Sequence, residues 1–100
     1  MADSFGLINN AGAILNSSGD FTARKRSSGH YTLEFNRNVK LAVIVASARN
    51  LQFCDNAGVG ITVCNESNMP RKVGFIFDDP ADALGFSFIL LNGVPEQEGD

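Results

Sequence analysis

The chain contains no tryptophan, one tyrosine, one histidine, two cysteines and three prolines in 100 residues. Each scarcity excludes something. Without tryptophan, and with a single tyrosine, there is little from which to build the exposed aromatic platform on which sugars stack. One histidine cannot supply a multi-histidine metal centre. Cys54 and Cys64 share no metal-ligand spacing with it, so they read as small packing residues, or as a bridge only if their Cα atoms lie within about 7 Å. Charge is scarce as well: Asp, Glu, Lys and Arg make up 19% of the chain, below the usual quarter, and the net charge is −3. Nucleic-acid binding needs a basic excess to displace counterions from phosphates, so nucleic acid is not an expected partner. The longest apolar stretch, LAVIVASA at 41–48, is too short to cross a bilayer, so no membrane association is expected. MADSFGLINN lacks the basic and apolar segments of a secretory leader. These readings predict a soluble protein, cytoplasmic or part of a particle assembled inside the cell.

What is present is phenylalanine (eight) and glycine (ten), which together suggest sheets joined by tight turns. SSGD at 17–20 and SSGH at 27–30 are near-identical turns ten residues apart, with Gly19 and Gly29 free to take positive φ. NAG at 56–58, NESNMP at 65–70 and DDPAD at 78–82 are further turn or loop signals. Between them the pattern alternates: Tyr31, Leu33 and Phe35 against Thr32, Glu34 and Asn36; Val59, Ile61 and Val63 against Gly60, Thr62 and Cys64. Nowhere do apolar residues recur at helical spacing between caps. The expectation is one all-β domain over 1–100, an antiparallel β-sandwich of jelly-roll-like form with about eight short strands, and with disordered tails at 1–4 and 94–100. Arg24, Lys25 and Arg26 read as the charged guard of an edge strand.

Three segments are apolar on both faces. In LAVIVAS, Leu41, Val43 and Val45 oppose Ala42, Ile44 and Ala46. In VGFIF, Val73, Phe75 and Phe77 oppose Gly74 and Ile76. In FSFILL, Phe86, Phe88 and Leu90 oppose Ser87, Ile89 and Leu91. A two-sheet sandwich buries one face of each strand. With the phenylalanine faces in the core, Ala42, Ile44, Ala46, Ile76, Ile89 and Leu91 are left as the expected oligomer interface. If the three strands are neighbours, that set forms a patch of roughly 400–500 Å², at the upper end for a monomer. The alternatives are that the strands belong to different sheets, or that FGLI and Ile14-Leu15 fold over the patch.

No catalytic residue, metal site or cofactor is expected. His30 has Ser27, Ser28 and Asp20 nearby in sequence, but serines in a glycine turn satisfy backbone groups rather than attack substrates. Asp78, Asp79 and Asp82 lack the ligand ladder of a calcium loop. Glu34 and Glu66 carry no sign of a shared cleft. An unfamiliar enzyme site would have to draw on His30, Glu34 and Arg37.

GHYTLEFNRNVKLAVIVA at 29–46 resembles a short β-domain pattern of bacterial and phage proteins, found at the ends of tail-fibre-like or collagen-like chains. That pattern runs G-x-Y-x-V/L-x-F-x-R-D/N-V, then an apolar strand, then P-x-D-x-x-F-x-L/F. Gly29, Tyr31, Leu33, Phe35, Arg37, Asn38 and Val39 match its first block. Pro80, Asp82, Phe86 and Phe88 match its second with one extra residue between. The similarity spans residues 12–91, with Ala42 where the pattern often has Cys and Ser87 near its His. The resemblance implies a β-sandwich with a structural, binding or trimerising role and carries over no catalytic residue.

The expected function is a non-catalytic structural or recognition module that self-associates, as a dimer or trimer, through an apolar sheet face. The alternative is a small-molecule or glycan-binding module with a pocket between the sheets or at a subunit junction. In that case the loops at 65–71 and 78–82 would supply Asn68, Arg71 and Asp82.

Overall fold

The computed structural model describes residues 3–50, 59–66, 69–78 and 84–91. These form eight strands: β1 (Ser4–Ile8), β2 (Ile14–Ser17), β3 (Phe21–Ser27), β4 (His30–Phe35), β5 (Val43–Asn50), β6 (Ile61–Asn65), β7 (Lys72–Phe77) and β8 (Leu84–Leu91). They make two antiparallel four-stranded sheets, which we call A, in the order β2-β1-β8-β5, and B, in the order β3-β4-β7-β6. The chain passes between sheets after β2, β4, β5 and β7, so the all-β sandwich expected from the turn spacing is the observed fold. β1 begins at Ser4, which is buried, so the ordered fold starts one residue inside the expected N-terminal tail. The segment at 94–100, Cys54, Asn68, Asp79 and Asp82 lie outside the described residues.

The paired serine-glycine turns take the expected form. Gly19 and Gly29 have φ of 85° and 74°, a region closed to most side chains by Cβ clashes. The first turn carries the chain from sheet A to sheet B. The second closes the β3–β4 hairpin.

The core is aromatic. Phe86 is fully buried, with its ring 4.9 Å from that of Phe75 and 5.2 Å from that of Tyr31. Phe88 stands 5.2 Å from Phe21 and 5.4 Å from Phe75. These are tilted, edge-on and stacked pairs between facing sheets, the arrangements that add to the transfer energy of ring burial. β7 and β8, in the middle of their sheets, supply most of the large side chains: Val73, Phe75 and Phe77 from one, Leu84, Phe86, Phe88 and Leu90 from the other.

Those rings dictate what lies beside them. On β5, Ala46 pairs with Phe88, Ala48 with Phe86 and Ile44 with Leu90. A phenylalanine turned inward leaves space only for a small neighbour on the adjoining strand, so the alanine row of β5 faces the core. Ala42, Ile44, Ala46 and Ala48 are half-buried against it. This corrects the expected interface: Ala42, Ile44 and Ala46 point inward, and Val43 and Val45 point out. Ile76 is exposed, but on sheet B, so it cannot join Ile89 and Leu91 in one patch.

Gly6, inward on β1, is a close-packed point against these rings. A Cβ there would lie 2.6 Å from Phe88 Cε1 and 2.7 Å from Phe21 Cζ. Neither ring can swing aside, since Phe21 also packs on Phe35 and Phe88 on Phe35 and Phe75. Gly6→Ala should therefore cost about 1–3 kcal/mol, the usual penalty of overpacking, read as a lowered urea midpoint at unchanged slope. An unchanged midpoint would show that the two rings have slack.

Candidate functional site

The strands of sheet A contain one charged residue, Arg49. Those of sheet B carry Arg24, Lys25, Arg26, Glu34 and Lys72. The outer face of sheet B is thus an ordinary solvated surface, and the outer face of sheet A is not.

The register of sheet A shows what that face presents. Phe5 pairs with Ile89, and Ile89 with Val45, so three apolar side chains from β1, β8 and β5 form one row. In the next row Leu91 pairs with Val43. On the other side, Asn16, Leu7, Ser87 and Ser47 form a row from β2 to β5. Phe5 is 48% exposed, Val43 58%, Val45 65%, Ile89 54% and Leu91 43%. Because β1 lies in the plane of the sheet, Phe5 extends the apolar patch; the FGLI segment does not cover it. Over Ser87 the surface dips into a groove of about 400 Å³, walled by Phe5, Leu7, Val45 and Ile89, with Asn16 and Arg49 also lining it. The small Ser47 and Ser87 side chains between larger neighbours create the dip.

Sequence reasoning placed Ile89 and Leu91 on this face and missed Phe5, Leu7, Val43 and Val45. The signal for β1 was in SFGLI, where Ser4 and Gly6 alternate with Phe5 and Leu7. The parity of β5 depended on pairing with β8, which no single segment reveals.

A second opening lies between the sheets along the β5 and β6 edges, about 200 Å³, lined by Val39, Lys40, Ala42, Ile44, Val63, Cys64, Asn65 and Val73. Of the residues expected to line a ligand pocket, only Arg71 falls among the described residues. It is exposed, and its carbonyl accepts a hydrogen bond from the Phe35 amide at 2.8 Å.

The polar side chains weighed as chemistry are distributed over two separate clusters. Asp20 accepts from Ser18 Oγ at 2.6 Å, from Ser4 Oγ, and from Arg37 NH1, while Arg37 NH2 donates to Ser4 Oγ at 2.7 Å. This group ties the start of β1, the β2–β3 turn and the segment after β4. Burial pushes the Asp20 carboxyl up, but the hydrogen bonds from Ser18, Ser4 and Arg37 outweigh it and hold it below its ordinary value. The other cluster lies on the outer face of sheet B. Glu66 reaches back over Gly74, accepting from Thr32 Oγ1 at 2.9 Å, with its Oε2 3.1 Å from His30 Nε2. The His30 contact lowers the Glu66 carboxyl most; burial opposes it, and Thr32 adds to the lowering.

His30 and Glu34 share that face but lie four residues apart on β4, about 13 Å at 3.3 Å per residue. Arg37 is drawn away to Asp20, so the trio does not converge. Cys64 is an exposed thiol on the same outer face, not a packing residue. Asp78 accepts from Thr62 Oγ1 at 3.2 Å. Among the described residues, no three His, Cys, Asp or Glu side chains converge as metal ligands, and no helix is long and apolar enough to cross a membrane.

Comparison with known proteins finds no matching family, no matching curated protein and no matching solved structure.

The Asp20 cluster makes a pH prediction. A carboxyl held below its unfolded value contributes stability above that value, about 3.9 for Asp, and loses it as pH falls through the folded value. Asp20→Asn should cost about 1–3 kcal/mol at pH 7, from lost charge-assisted hydrogen bonds. The gap to the parent should narrow below about pH 4, measured by urea unfolding across pH 2 to 7. A gap that is constant with pH would assign the loss to packing instead.

Proposed function

We propose that this chain is a non-catalytic structural or recognition module that self-associates through the outer face of sheet A. The observation that carries the reading is the in-register row Phe5–Ile89–Val45, flanked by Leu91 and Val43, on a sheet with a single charged residue. Solvent-facing strands are normally studded with Lys, Glu, Thr or Arg, as sheet B is. A face that carries Arg49 as its one charge across three strands fits a surface that spends its working life covered.

The magnitudes support association. The exposed parts of these side chains amount to roughly 500 Å², at the upper end for a monomer's largest patch. At about 25 cal/mol per Å², covering it is worth about 12 kcal/mol per subunit. Two subunits gain twice that, against an association cost of about 4–15 kcal/mol. The groove over Ser87 gives such a face relief, so a partner's side chain can key into it and set the register.

The ligand-pocket reading has less behind it. The opening between the sheets, near 200 Å³, is below the range of about 300–1,000 Å³ usual for small-molecule sites. The larger groove belongs to the face assigned to association. A role in a phage-like particle, suggested by the resemblance at 29–46, is compatible with a self-associating module and is part of the same proposal.

Phe5→Glu combined with Ile89→Lys tests the face. The two positions are direct cross-strand partners, so the new charges neutralise each other within the sheet and the fold keeps its pairing. Light scattering should give a smaller assembly than the parent at equal concentration, with unchanged far-ultraviolet dichroism. An assembly of unchanged mass would overturn this function.

A further inference from the structure

The four edges of the sandwich are not equivalent. β3, at one edge of sheet B, carries Arg24, Lys25 and Arg26 and a register shift between Lys25 and Ser27. β2, at one edge of sheet A, has four residues and a shift in its pairing at Leu7/Ile8. β6 has five residues. Short length, cationic side chains and bulges are the devices by which sheet edges avoid joining other sheets. β5 is neither short nor bulged, and its one cation, Arg49, stands next to its C-terminal end. It runs eight residues, Val43–Asn50, in unbroken register with β8, with no lysine, glycine or proline. Between Val43 and Arg49 its far edge has no backbone partner among the described residues. Its outward side chains, Val43 and Val45, are the most exposed members of the apolar face.

We propose that β5 is a second self-association element: it pairs antiparallel with β5 of another copy across a two-fold axis, fusing two A sheets into one of eight strands. The proposal rests on the apolar face being an association surface and deepens that reading. The occupant is a second copy because the edge complements itself. With the axis at Ala46, Val45 lies opposite Ser47 of the second copy and Val43 opposite its Arg49. The two arginines then stand six residues apart, about 20 Å at 3.3 Å per residue, beyond the screening length of about 8 Å at physiological salt. The pairing also solves a problem of size. One face of roughly 500 Å² falls short of the ~800 Å² each partner contributes to a standard interface. Edge pairing sets two such faces side by side, with Val43 and Val45 of each copy beside Arg49 and Ser47 of the other at the seam, and the pair presents roughly 1,000 Å² of apolar surface, which exceeds that requirement. The assembly that follows is a dimer of dimers: edge to edge within each pair, face to face between pairs.

The test is a cysteine walk. With Cys54 and Cys64 both changed to serine, single cysteines are placed in turn at positions 44 to 48 and the full chain is oxidised under native conditions. Cross-linked dimer should peak sharply at one position and fall on either side, because only residues beside the two-fold axis bring their copies within disulfide reach. In parallel, the Phe5→Glu/Ile89→Lys variant, whose changes lie away from the seam, should have twice the chain mass of 10.7 kDa. No cross-link at any of the five positions, together with a monomeric face variant, would overturn edge pairing while leaving the face reading intact. A sharp cross-link peak with a face variant of parental mass would uphold the edge and overturn the face.

Discussion

The molecule depends on the orientation of one strand. β8 lies at the centre of sheet A, hydrogen-bonded to β1 on one side and β5 on the other. Its Phe86, Phe88 and Leu90 fill the space between the sheets and meet Tyr31, Phe75 and Phe77 from across it. Once those rings point inward, the strands beside them must yield volume. β1 does so with Gly6, directly against Phe88, and β5 with Ala46 and Ala48. Strand alternation then leaves no freedom: Phe5 and Leu7 on β1, Val43 and Val45 on β5, and Ile89 and Leu91 on β8 itself face outward. Which residues make up the outer face is a geometric consequence of how the aromatic core is packed.

That consequence need not have been apolar. A soluble monomer would place Thr, Lys or Glu at those outward positions at little cost, as the chain does on sheet B with Arg24, Glu34 and Lys72. The contrast between two sheets of one small domain is the observation that motivates the proposal of a covered face on sheet A. The polar interactions fit this division. The Asp20–Arg37–Ser4 cluster fastens one end of the sandwich, and His30, Thr32 and Glu66 tie neighbouring strands on the solvated face. Both clusters hold strands and turns together; neither opens onto the grooves over sheet A or between the sheets.

Much of the fold was legible in the sequence, for local reasons. Gly19 and Gly29 sit in turns whose positive φ the SSG motif announces, β4 and β6 alternate visibly between apolar and polar residues, and β7 and β8, though apolar on both faces, gather their phenylalanines on one. The parity of β5 was not legible, because both of its rows are apolar and the choice between Ala46 and Val45 as the inward residue is made by Phe88 on a strand some forty residues later. For the same reason Ile76 was grouped with Ile89 although the two occupy different sheets. The polar clusters were hidden too: Ser4, Asp20 and Arg37, or His30 and Glu66, meet only through the crossing of the chain between sheets. Ile89 and Leu91 were correctly placed outward because β8 carries its own contrast between phenylalanine and the residues that alternate with it.

The claim on which the account rests is that the outer face of sheet A is covered by another copy of the chain. Sedimentation equilibrium of the unmodified protein at tens of micromolar addresses it most directly. The account predicts a mass of at least twice the 10.7 kDa of one chain, falling toward the single-chain value only on strong dilution. A monodisperse single chain across that concentration range would contradict it, and the apolar face would then be no more than exposed surface.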